Sequence, residues 1–264
     1  MSFLENLVRK IYQSDLSDKR WAAIKPFLPE ALPGGRPRET ALREIINAIF
    51  YVNRTGCSWR DIPGDFPPWQ TVYTYFRDWK NSGVWKKIND ILRKRLRKLA
   101  GREFQASTGA IDSQSVKTGS CGGVRGFDGG KKILGRKRHI LVDTMGLLMM
   151  VVVHSAAIQD RDGGLLVLRR IKNMFSKLKI IWVDGGYQGR FVSIGRKLFR
   201  RKIVVVKRLS TSIGFVLLPK RWIVERTFAW LANFRRHSRD YERHTQSSEA
   251  MIYISMIQVM LKRF

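Results

Sequence analysis

Three acidic residues beyond the first hundred positions stand where a carboxylate is hard to keep: Asp112 in AIDSQSVKTG, Asp184 in IIWVDGGYQG and Glu225 in RWIVERTFAWL. Asp112 follows Ile111, and Asp184 closes the apolar run Ile180-Ile181-Trp182-Val183, so both belong to short strand-like segments. Glu225 lies in a segment of helical period. Burying an unpaired carboxylate in such places is costly, so a metal ion or an arginine must offset it. Acids are also scarce here, since residues 101–264 carry 31 Lys and Arg against 11 Asp and Glu. A helix laid across a sheet could bring the three carboxylates together, and that is the ligand set a pair of divalent cations needs. Magnesium takes oxygen ligands and keeps several waters. Two such ions about 4 Å apart activate an attacking oxygen and stabilise the leaving one in an in-line displacement at phosphorus. The chemistry these residues fit is phosphodiester cleavage or joining. The plainer alternatives are an N-cap or buried salt bridge for either aspartate, and a pair with Arg221 one turn earlier for Glu225. Asp143, Asp160 and Asp162 are the reserve acids, read first as turn and helix-start residues. His139 and His154, on neighbouring strands, read as packing or phosphate-contact residues.

The elements that must position these groups follow an ordered pattern. From about residue 105 the sequence predicts a strand over 107–116, a mobile glycine-rich loop KTGSCGGVRGFDGGKK, and two strands, RKRHILVDT and LLMMVVVHSA, joined at Met145-Gly146. A helix capped by Asp160 comes next, followed by the buried strand KLKIIWVDGG, the short helix RFVSIGRKLF, the strand RKIVVVKR, the helix KRWIVERTFAWLANFRR and a last helix AMIYISMIQVMLKRF. Three strands, helix, strand, helix, strand, helix is the order of a ribonuclease-H-like α/β domain with a mixed five-stranded sheet. In that fold, active-site carboxylates sit on the first strand, at the end of the fourth and on a late helix. Only 41 positions separate Asp184 from Glu225, leaving no room for a large inserted domain.

Residues 1–104 read instead as an all-α domain, and the expected division is 1–104 and 105–264. One helix ends before Pro29, with Ser14 and Ser17 as cap candidates, and a second runs from about Glu39 to Asn53. GCSWRDIPGDFPPW should be a rigid loop. The two helices around Asn81-Ser82-Gly83 then form a helix-turn-helix-like unit rich in cations. Arg77, Lys80, Arg93 and Lys94 are its expected DNA contacts, while its aromatics read as core. In the second domain Arg136, Lys137, Arg138, Lys207 and Arg208 are expected on backbone phosphate, with a strong inverse dependence on salt.

Composition supports a polyanionic partner. The 264 residues carry 50 Lys and Arg against 21 Asp and Glu, a formal charge of +29, and so cationic a surface usually has nucleic acid as its partner. Hydrophobic residues at 44% exclude a mainly disordered chain. No apolar run approaches the ~20 residues of a spanning helix, and no membrane partner is expected. The start has no signal-peptide pattern, so a cytosolic location is expected. Cys57 and Cys121 lie in no metal-ligand spacing and should be reduced thiols.

At this point the sequence resembles a known family: the bacterial insertion-sequence DDE transposases, specifically the short IS-five family. The matching stretches are PGGRPR, NAIFYVNRTGCSWRDIPGDFPPWQTVYTYF, AIDSQSVKT, GRKRHILVDTMGL, HSAAIQDRDG, VDGGYQG, RWIVERTFAWL and RRHSRDYE, covering nearly the whole length. The resemblance implies that Asp112, Asp184 and Glu225 form the catalytic, metal-binding triad. It also implies an N-terminal domain that binds terminal inverted repeats of double-stranded DNA. The family's glutamate has a tyrosine seven positions before it, an arginine four before it and a lysine seven after it. Here Arg221 matches, whereas Leu218 and Ala232 stand at the other two places. Arg221 is expected to orient Glu225, and Arg235 and Arg236 to replace the missing phosphate contact.

Two Mg²⁺ ions, with Mn²⁺ as a substitute, are the expected cofactors, Asp112 bridging both. The expected reaction is water attack at the element's end and then attack of the freed 3′ hydroxyl on target DNA, by a homodimer or larger assembly. The competing readings are a non-cutting DNA-binding remnant and a nuclease without strand transfer.

Overall fold

The computed structural model describes residues 9–30, 39–206 and 222–264. Ser17 starts helix α1 (Asp18–Ile24), its hydroxyl accepting from the Arg20 N–H and so satisfying one orphan donor of the first turn. Helix α2 (Leu42–Thr55) stops at Gly56, which takes the left-handed conformation at φ 76°. Helices α3 (Trp69–Asn81) and α4 (Val84–Leu99) meet at Ser82-Gly83, where the sequence predicts their turn.

Strands β1 (Thr108–Lys117), β3 (Ile133–Asp143), β4 (Leu148–Ser155), β5 (Ile180–Val183) and β6 (Lys202–Val205) make the sheet, in the spatial order β4, β3, β1, β5, β6. β1 runs antiparallel to β3 and parallel to β5, and β5 parallel to β6, so the sheet is mixed. Helix α5 (Asp160–Arg170) precedes β5, helix α6 (Arg190–Phe199) precedes β6, and helices α7 (Trp222–Ala232) and α8 (Thr245–Leu261) close the chain. This is the ribonuclease-H-like order, with a sixth strand added. The extra strand is β2 (Gly126–Asp128), which pairs with Leu134 and its neighbours at the start of β3.

β2 takes three residues of the segment that the sequence predicts as a glycine-rich loop. Gly123, at φ 89°, lies so close to the Arg243 carbonyl that a Cβ would overlap it, so glycine here permits close packing.

Both faces of the sheet are covered, which is why β3 is buried from Gly135 to Asp143 without interruption. Ala110, Ile140, Val142, Val151 and Val153 face one way, into a core shared with α2, α3, α4, α7 and α8. Ile111, Leu141, Val152, Ile181 and Val183 face the other way, against α5 and α6. Helix α8 is buried nearly all round, between the N-terminal helices and β4. The N-terminal helices therefore share one core with the sheet. Helix α4 spends its Ile88, Leu92 and Leu96 face in that core, and Asn89 donates to the Leu148 carbonyl on β4. No helix of the described residues is long and apolar enough to cross a membrane.

Candidate active site

The parallel pairing of β1 and β5 sets Ala110 opposite Trp182, both on the face turned toward α7. Strand side chains alternate with period two. Asp112, two residues farther along β1, keeps that face, and Asp184, the residue just after β5, stands beside it. They line one small cavity together with Val206 and Val224. Val224 belongs to α7, and Glu225 is its next residue, exposed in the helix's first turn. The face that carries the two aspartates is thus the face that α7 covers. Thr227 seats the helix by donating to the Gly146 carbonyl at 2.8 Å, and Arg226 by donating to the Met145 carbonyl at 2.9 Å.

Backbone amides orient both aspartates. The Ser113 N–H donates to Asp112 Oδ1 at 2.7 Å, and the Gly186 N–H to Asp184 Oδ1 at 2.9 Å. Among the described residues, no three His, Cys, Asp or Glu side chains lie close enough together to hold an ion as they stand. The donor set is nonetheless the right kind for a hard cation, since adjacent carboxylates offer only oxygen.

Behind β1, on the opposite face, lies a polar cluster that the sequence pattern did not reveal. Ser113 donates to Asp160 Oδ1 at 2.7 Å, and Ser115 to Asp128 Oδ2 at 2.5 Å. The buried Lys137 ammonium sits between those carboxylates, 3.1 Å from Asp160 and 3.3 Å from Asp128. Burial by itself would raise the Asp128 carboxyl, but bonds from Ser115, the Lys131 N–H and Lys137 hold it down at about 2. Asp160 is likewise lowered by Ser113 and Lys137 against the opposing effect of burial.

His139 and His154 stack beside this cluster with a 2.8 Å nitrogen contact. Burial, and then the neighbouring His154, pushes His139 down to about 3; of the packing and phosphate-contact roles expected of the pair, its burial fits packing. The Tyr187 hydroxyl is fully buried and pushed far up, first by burial and then by Asp112, Asp160 and Asp184. Tyr187 was missed as well; its one sequence signal is an aromatic placed three residues after Asp184 in a glycine turn.

Several expected phosphate contacts are corrected. Arg136, Lys137 and Arg138 lie on the central strand β3 and are buried because both its faces are covered. Arg136 donates to Asp240 Oδ1 at 3.1 Å and to the carbonyls of Val124, Glu242 and Arg243. Arg138 donates to the carbonyls of His237 and Arg239. Arg236 is buried against Glu242 at 2.6 Å and the Cys57 carbonyl. Arg93 is buried beside Asp90, its guanidinium over Phe175. These five satisfy the protein's own acceptors and are withdrawn as DNA contacts.

Arg77, Lys94 and Arg235 are exposed, and Lys80 is partly so. Arg221, Lys207 and Arg208 lie outside the described residues. Asp143, a reserve acid, is buried against Arg97 at 2.9 Å and accepts from the Met145 and Leu147 N–H groups, which makes it structural.

The family model of the transposase DDE domain matches residues 103–260, and that of the putative transposase of the IS4/5 family matches residues 16–89. An uncharacterised 16.2 kDa protein of insertion element IS402 from Burkholderia cepacia is 31% identical over 40% of this chain and 76% of its own length. An uncharacterised protein from Sinorhizobium fredii is 27% identical over 44% of this chain and 87% of its own. The putative transposase for element IS402, also from Burkholderia cepacia, is 27% identical over 45% of this chain and 59% of its own length. No solved structure matches.

Proposed function

The chain belongs to the transposase DDE-domain family, and from that premise we propose that it binds the terminal inverted repeats of an insertion sequence, cuts them and joins the freed 3′ ends to target DNA. Asp112, Asp184 and Glu225 are the acting carboxylates in this reading. The observation that carries it is the β1 and β5 register, which sets Asp112 beside Asp184 on the face that α7, with Glu225, covers. Two Mg²⁺ ions, replaceable by Mn²⁺, fit these oxygen donors and when bound would supply a nucleophilic oxygen and neutralise charge at phosphorus. The chain's own residues hold the geometry. The Ser113 and Gly186 amides fix the rotamers of the two aspartates, and Thr227 with Arg226 fixes the helix that carries Glu225. Arg77, Lys80, Lys94 and Arg235 remain as surface cations for the DNA backbone, and a homodimer or larger assembly holds the two element ends together.

The test is incubation of a repeat-end duplex with Mg²⁺ and the unsubstituted protein, Asp184→Ala or Glu225→Gln. Each substitution should lower cleavage by at least about a hundredfold, the loss typical when one group stabilising transition-state charge is removed. Variants that cut as well as the unsubstituted protein would show the carboxylates to be misassigned. Binding by all three proteins with cleavage by none would favour the non-cutting remnant.

A further inference from the structure

Helix α7 carries a second feature, on the flank away from Val224. The Arg226 guanidinium is sandwiched between two indoles, 4.6 Å from Trp222 and 4.9 Å from Trp230. Arg263, just beyond α8, lies over Trp230 at 4.5 Å. The result is a ladder of alternating ring and cation: Trp222, Arg226, Trp230, Arg263. It forms one wall of an open cleft also lined by Arg102 and Met145.

The charge of this cleft is uncompensated. Among the described residues lining it there is no carboxylate. Asp143, which favours the charged form of both Arg226 and Arg263, already accepts from Arg97 and two backbone amides. The Arg263 guanidinium is held below its ordinary value by burial and then by the neighbouring Arg226 charge. The buried Arg226 Nε has no hydrogen-bond partner. Arg226 keeps one bond, to the Met145 carbonyl, and two arginines that repel each other beside a cleft without a carboxylate are an arrangement that an anion relieves. Trp222 is 37% exposed despite its size, at the mouth of the same cleft. Cations interleaved with exposed aromatic rings are the means by which proteins hold an unpaired strand, phosphate on the arginines and base on the ring.

Resting on the transposase reading above, we infer that this cleft binds an unpaired nucleotide of a DNA strand, with Arg102, Arg226 and Arg263 on its phosphates and Trp222 as the platform for its base. Trp222 is one helical turn before Glu225 and Arg226 directly follows it, so the cleft and the candidate catalytic glutamate share one helix.

The test measures fluorescence anisotropy of a labelled oligothymidylate and of a labelled repeat-end duplex, in the absence of divalent metal. Trp222→Ala should weaken oligothymidylate binding by about tenfold, the size of one lost base stack, while leaving duplex affinity unchanged. Trp222→Phe, which keeps an aromatic face, should retain most of the single-strand affinity. Arg263→Gln should reduce the salt dependence by about one phosphate contact. Single-strand binding unchanged in Trp222→Ala, or an equal loss on duplex, would overturn the inference. An unsubstituted protein that binds neither DNA would instead sink the transposase reading itself.

Discussion

Lys137 shows how differently one cation behaves at a surface and in a core. Its ammonium is 4% exposed and lies between the Asp128 and Asp160 carboxylates. Lys137→Met should therefore lower stability by about 3 kcal/mol, because it leaves the buried Asp128 and the half-buried Asp160 carboxylates without their cation. Urea unfolding would measure this. An unchanged midpoint together with a shallower salt dependence of DNA binding would restore the phosphate role that its basic run suggests. The two aspartates were legible at this scale, since an acid closing an apolar run is costly without a cation. The cations were not, because a charged residue in a strand reads the same whether its face meets water or another layer.

Elements were legible where periodicity was clean and hidden where polar residues are buried. Helix α8 begins at Thr245, earlier than its apolar run suggests. Its first turns bury Ser248 and Glu249, which are bonded to Asp240 and to the Val153 amide and Arg170 respectively. Asp160 was expected to cap α5, but Gln159 holds that position and the Asp160 side chain is engaged by Ser113 and Lys137. Helix α5 approaches the sheet closely at Gly163, where a Cβ would meet ring atoms of both His139 and His154. Gly163→Ala should cost roughly 1 to 3 kcal/mol, the usual penalty of overpacking. A urea midpoint equal to that of the unsubstituted protein would show that the helix seats more loosely than its contacts indicate.

For the molecule as a whole, buried histidines link stability to pH. His139 is depressed from 6.5 to about 3 by burial and then His154. His237 is lowered by burial and then by Arg138 and Arg236. Between 6.5 and about 3 the unfolded chain takes up a proton at His139 that the folded chain refuses, so this stability is present above 6.5 and is lost as pH falls through that window. Asp128 adds a further loss at lower pH, between 3.8 and about 2. Thermal midpoints should fall steadily from about pH 7 to about pH 4, and a flat profile across that range would contradict the buried, neutral state of these rings.

The sequence alone determined the order of strands and helices, the carboxylates that end apolar runs, and the family, because side-chain period and the cost of a buried charge act locally along the chain. Only the tertiary structure decided that Asp112 stands beside Asp184, which depends on a strand register set by residues far apart in sequence. It alone buried Arg136, Lys137 and Arg138, whose faces are covered by segments that follow them by up to about a hundred residues. It alone aligned Trp222, Arg226, Trp230 and Arg263 along one cleft, since that alignment needs the C-terminal end of α8 to reach α7. Local chemistry states which residues need partners, and the packing of distant elements chooses which partners they find.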